Sequence, residues 1–368
     1  MRIAYGVMGY GRGHATRSSA ALVALQREHD VTLFTSGDAH DMLAQRFDTV
    51  RIPMLGYVYD SAGRWSVTKT ITGNFGGAAD LLFRGKGVQG VEHEFRERGI
   101  ELVISDSEAW THRAAQSLKI PRISFDHVGI IAWCKPHFPD DLMFTGLRDG
   151  WGYRQLMGQP DRILISSFYP AQPKSSTTRL VGPILREELD ALAPSEGDFL
   201  LAYFNRGDRQ FHPHVEQALR QLELPVVVYG TTRAGVSESL DFRAIDGAAF
   251  VRDLANCRAV IATAGSQLIG EALHFGKPFL ALPERAFEQQ LNARRLERMG
   301  IGRFCSLESF SAADVEIFLA DLPRYRENMS QYARNGRAEA IEILRGYIAE
   351  LAVTQSSSSS HRATTRAA

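Results

Sequence analysis

One pattern governs what this chain can fold into: a short apolar run, a turn of small residues, an amphipathic stretch, then another short apolar run. Runs of this kind are Arg2–Met8, Asp30–Thr35, Glu101–Ser105 and Pro121–Phe125. The pattern restarts with Phe199–Phe204, Pro225–Tyr229, Ala259–Thr263 and Pro278–Leu282. Strands alternating with helical stretches predict parallel βαβ units, so each series reads as one α/β domain. Between the series, Tyr169–Ser195 carries Pro170, Pro173, Pro183, Pro194 and the run Ser175-Ser176-Thr177-Thr178. Proline and small polar residues at that density mark a boundary. The 368 residues also exceed what one ordinary core encloses. The expected division is residues 1–170, a linker 171–195, and residues 196–353.

Three segments stand apart from the alternation. Gly56–Gly90 is glycine- and aromatic-rich and reads as irregular, either a substrate-facing loop or a stretch without fixed structure. Its Tyr57, Tyr59, Trp65 and Phe75 are candidate acceptor contacts, with simple packing as the alternative. From Ala312 to about Val353 the chain reads as helical, and its last helix is expected to lean back on the first domain. Thr354–Ala368, with Ser356–Ser360, has too little apolar surface to offset ordering and is expected to be disordered.

Composition removes several function classes. Lysine plus arginine number 42 against 42 acidic residues, so no basic excess points to nucleic acid. Cys134, Cys257 and Cys305 lie far apart without a CxxC pair, so neither a disulfide framework nor a zinc ribbon is expected. A reducing, cytoplasmic setting fits this usage. The start, MRIAYGVMGYGRGHATR, has no apolar core of signal-peptide length. No window approaches the roughly 20 apolar residues of a membrane span, although peripheral contact with a membrane surface stays open.

The turn Gly9-Tyr10-Gly11-Arg12-Gly13-His14 follows the first strand and opens a helix. A dinucleotide fingerprint would need a third glycine where His14 stands, and Asp38 lies too far along for its acidic residue. Nicotinamide binding is therefore disfavoured. Gly11 and Gly13 still present backbone N–H groups at a positive helix end, which suits an anionic or hydroxyl-bearing ligand. His14 stands where open α/β sheets bind ligands and can take a proton near neutral pH; a helix-cap histidine is the alternative. Asp106 ends a later strand at the same edge, placed either to hold His14 or to cap the following helix, with Glu108 as a weaker substitute partner.

The densest signal is VIATAGSQLIGEALHFGKPFLALPERAFEQQLNARRLERMGIG, Val260–Gly302. It reads as strand, small-residue turn, helix, glycine stop, strand, loop, helix, glycine stop, with Gly276 and Gly300 as the stops. The turn Ala264-Gly265-Ser266 is small enough for a diphosphate to lie against the helix start, where free N–H groups and the dipole meet its charge. Glu271, further along that helix, can accept from a ribose hydroxyl pair. Glu288 and Gln289 offer donors and acceptors suited to sugar hydroxyls. Asn205 and Arg206, in the turn after the second domain's first strand, supply a further phosphate contact, with a surface arginine as the alternative.

This segment resembles the donor-binding half of nucleotide-sugar glycosyltransferases of the GT-B fold, in particular the UDP-glycosyltransferase and MurG-like group. Gly265, Glu271, Gly276, Pro278, Pro283, Glu288, Gln289, Asn292, Ala293 and Gly300 match that group's pattern. GYGRGHATR with Gly13, His14 and Arg17, VISD at 103–106 and VGPILR at 181–186 resemble a bacterial branch of predicted glycosyltransferases. The resemblance implies two facing Rossmann-like domains, acceptor in the first and donor mainly in the second. It implies His14 as base with Asp106 as its partner, Glu271 on the ribose, and Glu288 and Gln289 on the donor sugar. Many members place a diphosphate-binding histidine where this chain has Thr263, so diphosphate contact falls to the backbone at Ala264, Gly265, Ser266 and Gln267 and to Asn205 and Arg206. The expected activity is sugar transfer from a nucleotide-diphosphate donor, read as a UDP-sugar, to a hydroxyl acceptor. It is read as inverting, without metal and without cofactor. A non-hydrolysing nucleotide-sugar epimerase and a non-catalytic sugar-nucleotide-binding protein are the rival readings. The acceptor, whether lipid-linked, an envelope precursor or a small molecule, is not legible.

Overall fold

The computed structural model describes residues 1–56, 67–332 and 334–366, with only the backbone described at 67, 71 and 355–366. The strands are apolar runs buried on both faces at the sheet centres, as expected where helices cover a parallel sheet, and short, more exposed runs toward the edges. In the first half these are β1 (Arg2–Val7), β2 (Asp30–Thr35), β3 (Thr49–Arg51), β4 (Leu102–Asp106), β5 (Arg122–Asp126), β6 (Arg162–Ser166) and β7 (Thr178–Val181). In the second they are β8 (Leu200–Tyr203), β9 (Val226–Tyr229), β10 (Gly235–Ser237), β11 (Leu240–Arg243), β12 (Ala259–Ala262), β13 (Phe279–Ala281) and β14 (Gly302–Phe304). The first sheet has the order β3-β2-β1-β4-β5-β6-β7 and the second β10-β11-β9-β8-β12-β13-β14. Every pairing is parallel except β10 with β11.

These orders place the functional residues. In the first sheet the strand order reverses between β1 and β4, and in the second between β8 and β12. At such a switch point neighbouring crossover helices depart to opposite faces, which opens a crevice beyond the carboxyl ends of the two strands. His14 and Asp106 follow β1 and end β4. Asn205 and Thr263 follow β8 and β12.

The final helix, Arg337–Arg366, packs on the first domain: Ala340, Leu344, Tyr347, Ile348 and Leu351 share one core with Ile3, Leu22 and Leu25. Their spacing is that of one helical face, which is why the sequence signalled it. Beyond that face the helix runs on through Ser356–Ser360 to Arg366, where no fixed structure was expected. A helix already nucleated by packing propagates at small cost per residue. No described helix is long and apolar enough to cross a membrane.

Two other expectations change. Within Gly56–Gly90, Val67–Leu82 is helical and a second helix, Lys86–Glu97, starts before the segment ends. The reason is tertiary: Asp80 accepts from the backbone N–H of Gly87 (2.9 Å) and Val88 (3.1 Å) and from Trp110 Nε1 (2.8 Å), tying both helices to the first domain. That contact overrides the weak helix propensity of the glycines. Phe75 stands exposed on the first of these helices, while Tyr57, Tyr59 and Trp65 lie outside the described residues. The stretch read as a linker, 171–195, also contains β7, which pairs with β6 and extends the first sheet to Val181. Ladder pairing makes it an edge strand whose flanking prolines fall outside the paired residues.

Candidate active site

At the first switch point the chain leaves β1 and turns on Gly11, whose φ of +80° is open to glycine and costly for other residues. The Gly11 N–H donates to Asp38 (3.0 Å), so one of the turn's N–H groups is already satisfied. The helix Arg12–Leu25 then sets His14, Arg17 and Ser18 on one face, at spacings of three and four residues. All three meet Asp106. His14 Nδ1 donates to Oδ1 (2.8 Å), Arg17 spans both oxygens (Nη2 to Oδ1 2.5 Å, Nε to Oδ2 3.0 Å), and Ser18 Oγ donates to Oδ2 (3.0 Å). Asp106 is fully buried and the His14 side chain 18% exposed. Burial alone would push the Asp106 carboxyl up, but Arg17 and then His14 outweigh it and hold it below its usual range. With Nδ1 given to a carboxylate, His14 keeps Nε2 as its remaining acceptor. No described residue bonds that nitrogen.

The two placements read for Asp106 now separate. The cap of the helix Ala109–Leu118 is Glu108, which accepts from Trp110 N–H (2.8 Å) and Thr111 N–H (2.7 Å). Ser107 sits between the two carboxylates with φ +54°, a left-handed conformation costly for a residue other than glycine. The bend lets Asp106 face the first helix while Glu108 turns to the next. Burial pushes the Glu108 carboxyl up to about 7. Behind the cluster, Asp126 at the end of β5 accepts from Ser124 Oγ (2.7 Å), Tyr153 OH (2.9 Å) and Gly129 N–H (2.5 Å). Burial, reinforced by Asp106, pushes its carboxyl up.

The second switch point contains little charge. Thr263 Oγ1 donates to Asn205 Oδ1 (3.2 Å), which also receives Gln210 Nε2 (3.0 Å), so the turns after β8 and β12 are joined. Gly265 caps the helix Ser266–His274 without a side chain, and a β-carbon placed there would meet nothing within 4 Å. No side chain caps the first N–H groups of this helix, at Ser266 and Gln267, beside the buried Ala264. The two helix starts face one another: a β-carbon on Gly13 would lie 3.6 Å from that of Gln267. Arg206 reaches across as well, its guanidinium 3.7 Å from the centre of the Tyr10 ring.

Glu271 is 1% exposed, which removes the solvated-charge alternative. It is already engaged: Arg186 grips it through Nε (2.8 Å) and Nη2 (3.0 Å), and Gln267 Nε2 donates to it (3.0 Å). Glu288 lies half-buried in the first turn of the helix Phe287–Arg298. Gln289 instead braces its own loop, accepting from Glu284 N–H (2.9 Å) and donating to the Glu284 carboxylate (3.3 Å). Four participants went unseen as such in the sequence. Arg17 and Arg186 entered only through matching motifs, and Glu284 not at all. Asn292, noted only as a family match, donates to Ala264 C=O (3.0 Å) and meets Nε2 of the buried His127 (3.3 Å). His127 Nδ1 in turn faces Ser166 C=O (2.8 Å), so this chain links the β6 end to the turn before Gly265.

Two parallel α/β domains whose switch points face one another define the GT-B architecture, and solved structures bear this out. The glycotransferase of kitacinnamycin superposes with a TM-score of 0.67 at 17% identity, covering 94% of this chain and 98% of that one. A UDP-glucosyltransferase from Polygonum tinctorium, described as capable of glucosylating indoxyl, gives 0.66 at 12% identity, covering 93% and 97%. At such identities the likeness establishes the fold. Residues 1–323 match the family described as glycosyl transferase family 1, and the chain belongs to it. The aclacinomycin-T 2-deoxy-L-fucose transferase of Streptomyces galilaeus is 30% identical over 134 residues, 35% of this chain. Those residues span only 30% of that protein's own length.

Proposed function

We propose that this protein transfers a sugar from a nucleotide-diphosphate donor, read as a UDP-sugar, to a hydroxyl acceptor. The observation that carries the reading is the pairing across the cleft. His14, held through Nδ1 by a buried carboxylate, keeps Nε2 to take a proton, and it stands on a helix whose start faces the uncapped donor-side helix.

In this mechanism the acceptor oxygen gives its proton to His14 Nε2 and its freed electron pair to the anomeric carbon. The bond from that carbon to the diphosphate oxygen breaks, and its electron pair leaves with the nucleotide. N–H groups at Ser266 and Gln267 and the dipole of their helix stabilise the charge that develops on the diphosphate, so no metal is assigned a part. Attack from the first-domain side and departure toward the second give inversion at the anomeric carbon. Glu271 takes the ribose hydroxyls once Arg186 yields a lone pair, and Glu288 is assigned to the sugar. Gln289, which holds the Glu284 loop through one N–H and one lone pair of its amide, is assigned with Glu288 to the sugar through the others. A UDP-sugar fits a site with one buried carboxylate for ribose, and Polygonum tinctorium supplies a structural neighbour named for that nucleotide. Peripheral membrane contact stays tied to a lipid-linked acceptor.

The test is product analysis by NMR with UDP-glucose and a panel of phenolic, lipid and sugar acceptors. Transfer with the opposite anomeric configuration is expected. Conversion of the lone donor without acceptor would replace the reading with epimerisation, and binding without turnover across the panel would replace it with a silent binding protein.

A further inference from the structure

Asp106 has more partners than a histidine-holding carboxylate needs. A carboxylate offers about four lone-pair positions, and His14, both Arg17 contacts and Ser18 fill them. Arg17 is a permanent cation, 4% exposed, and its Nη2 lies only 3.0 Å from His14 Nδ1. The resting charge of His14, Asp106 and Arg17 together is therefore zero, where a histidine–aspartate pair alone carries one negative charge. When His14 takes the acceptor proton, no carboxylate in the set is left to balance it.

The surrounding elements do not supply that balance. Tyr5 on β1 and Tyr153 on the helix Met143–Met157 stay neutral because burial pushes both phenols up. Asp126 on β5, whose carboxyl burial pushes up, is turned away to Ser124, Gly129 and Tyr153. Across the cleft, Glu271 is matched by Arg186, and Asp38 is turned to the Gly11 N–H. The negative charge that fits the place is the one the donor brings.

We propose that Arg17 is a positioning residue that neutralises Asp106 in the empty site, so that His14 takes up the acceptor proton effectively only with the donor diphosphate in the cleft. This rests on the base assignment made above. The proton moves from acceptor oxygen to Nε2, the resulting imidazolium stands opposite the departing diphosphate anion, and the proton returns to solvent after the nucleotide leaves. Donor therefore binds before acceptor is activated, and idle deprotonation in the empty site is suppressed.

The probe is UDP, added to the full-length protein while the His14 ring is followed by NMR through a pH titration, with H14N used to assign the signal. UDP is expected to move the midpoint up by about one pH unit in the wild type. In R17Q the midpoint without UDP is expected to be already higher, and UDP to add little. R17K, which keeps the charge, is expected to respond as the wild type does. A wild-type midpoint that UDP leaves unmoved overturns the proposal, and so does an R17Q response equal to the wild type's. The wild-type measurement stands even if R17Q does not fold. A transfer assay separates the two levels: H14A with native turnover sinks the base assignment and this proposal with it. Loss of turnover in H14A beside a UDP-insensitive midpoint sinks this proposal alone.

Discussion

The two switch points share a topology and differ in chemistry. The one between β1 and β4 is a buried ionic cluster in which Arg17 and Ser18 fix Asp106 before any ligand arrives. The one between β8 and β12 presents N–H groups, a glycine turn and a carboxylate whose partner must yield. The contrast fits a division of labour. Proton transfer needs a base held in one tautomer and orientation. A donor site that must bind and then release a charged nucleotide on each turnover is better served by dipoles and by an exchangeable ion pair than by fixed cations. Under the proposed function, the first half would serve the chemistry and the second the exchange of donor for nucleotide.

The hardest way to break this comparison is to cut each half at its centre. Changing His14 to alanine should lower kcat by about 1,000-fold, within the usual range for a general base, and change UDP affinity by no more than the roughly tenfold that a one-unit shift of His14 allows, by calorimetry. A comparable loss of UDP affinity would show that the first half also binds the donor.

Glu108 tests whether the first half's burial carries a cost. Its carboxyl lies at about 7 in the fold against 4.5 as the reference value. Between those values the folded state keeps a proton that the unfolded chain releases, so stability falls as pH rises from about 4.5 to about 7 and is level above. The full fall is about 3 kcal/mol, at 1.36 kcal/mol per unit. E108Q removes the titrating group, and denaturant midpoints measured from pH 5 to 8 should lose that slope. A variant with the wild-type slope would show that the carboxyl is ionised throughout.

In the second half, E271Q should raise the donor KM by roughly 30-fold, about 2 kcal/mol, with kcat changed far less. The split between KM and kcat decides it, since a fall confined to kcat would assign Glu271 to the wrong half of the comparison. The smallest effect belongs to one of the bonds joining the halves, that of His127 with Asn292. A double-mutant cycle on H127A and N292A, read in donor kcat/KM, should give a coupling of about 1 kcal/mol. Strict additivity would show that the two sides act independently.

What the sequence made legible follows the same line. Period and turn chemistry displayed four of the seven strands in each sheet, because a strand buried on two faces must be apolar and a crossover must begin with a turn. The short or partly exposed β3, β7, β10, β11 and β14 carry no such run. The positions of His14 and Glu271 could be read from their offsets after strand ends, and that of Asp106 from its place as the last residue of a strand. Hidden from a linear reading was whatever depends on a second element arriving. Arg186 reaches Glu271 from 85 residues away in the chain, and His127 reaches Asn292 from 165. Asp80 turns a glycine-rich segment into helices only because Trp110 stands beside it. Gln289 showed its type and position in the sequence, but not that Glu284 would occupy both ends of its amide.

The last helix has a consequence for how the chain folds. Leu344 and Ile348 complete a core whose other members include Ile3 and Leu22, at the opposite end of the polypeptide. That face of the first domain therefore stays partly uncovered until the last helix has docked. The second domain is closed within its own stretch on one side alone: the core around Phe204, Phe242 and Phe318 is its own, while Leu201, Val227 and Val260 share a core with Trp133, Ile163 and Phe168 of the first. A truncation before residue 337 should strip this cover from the Ile3–Leu22 face of the first domain and leave the Phe204–Phe318 core of the second in place.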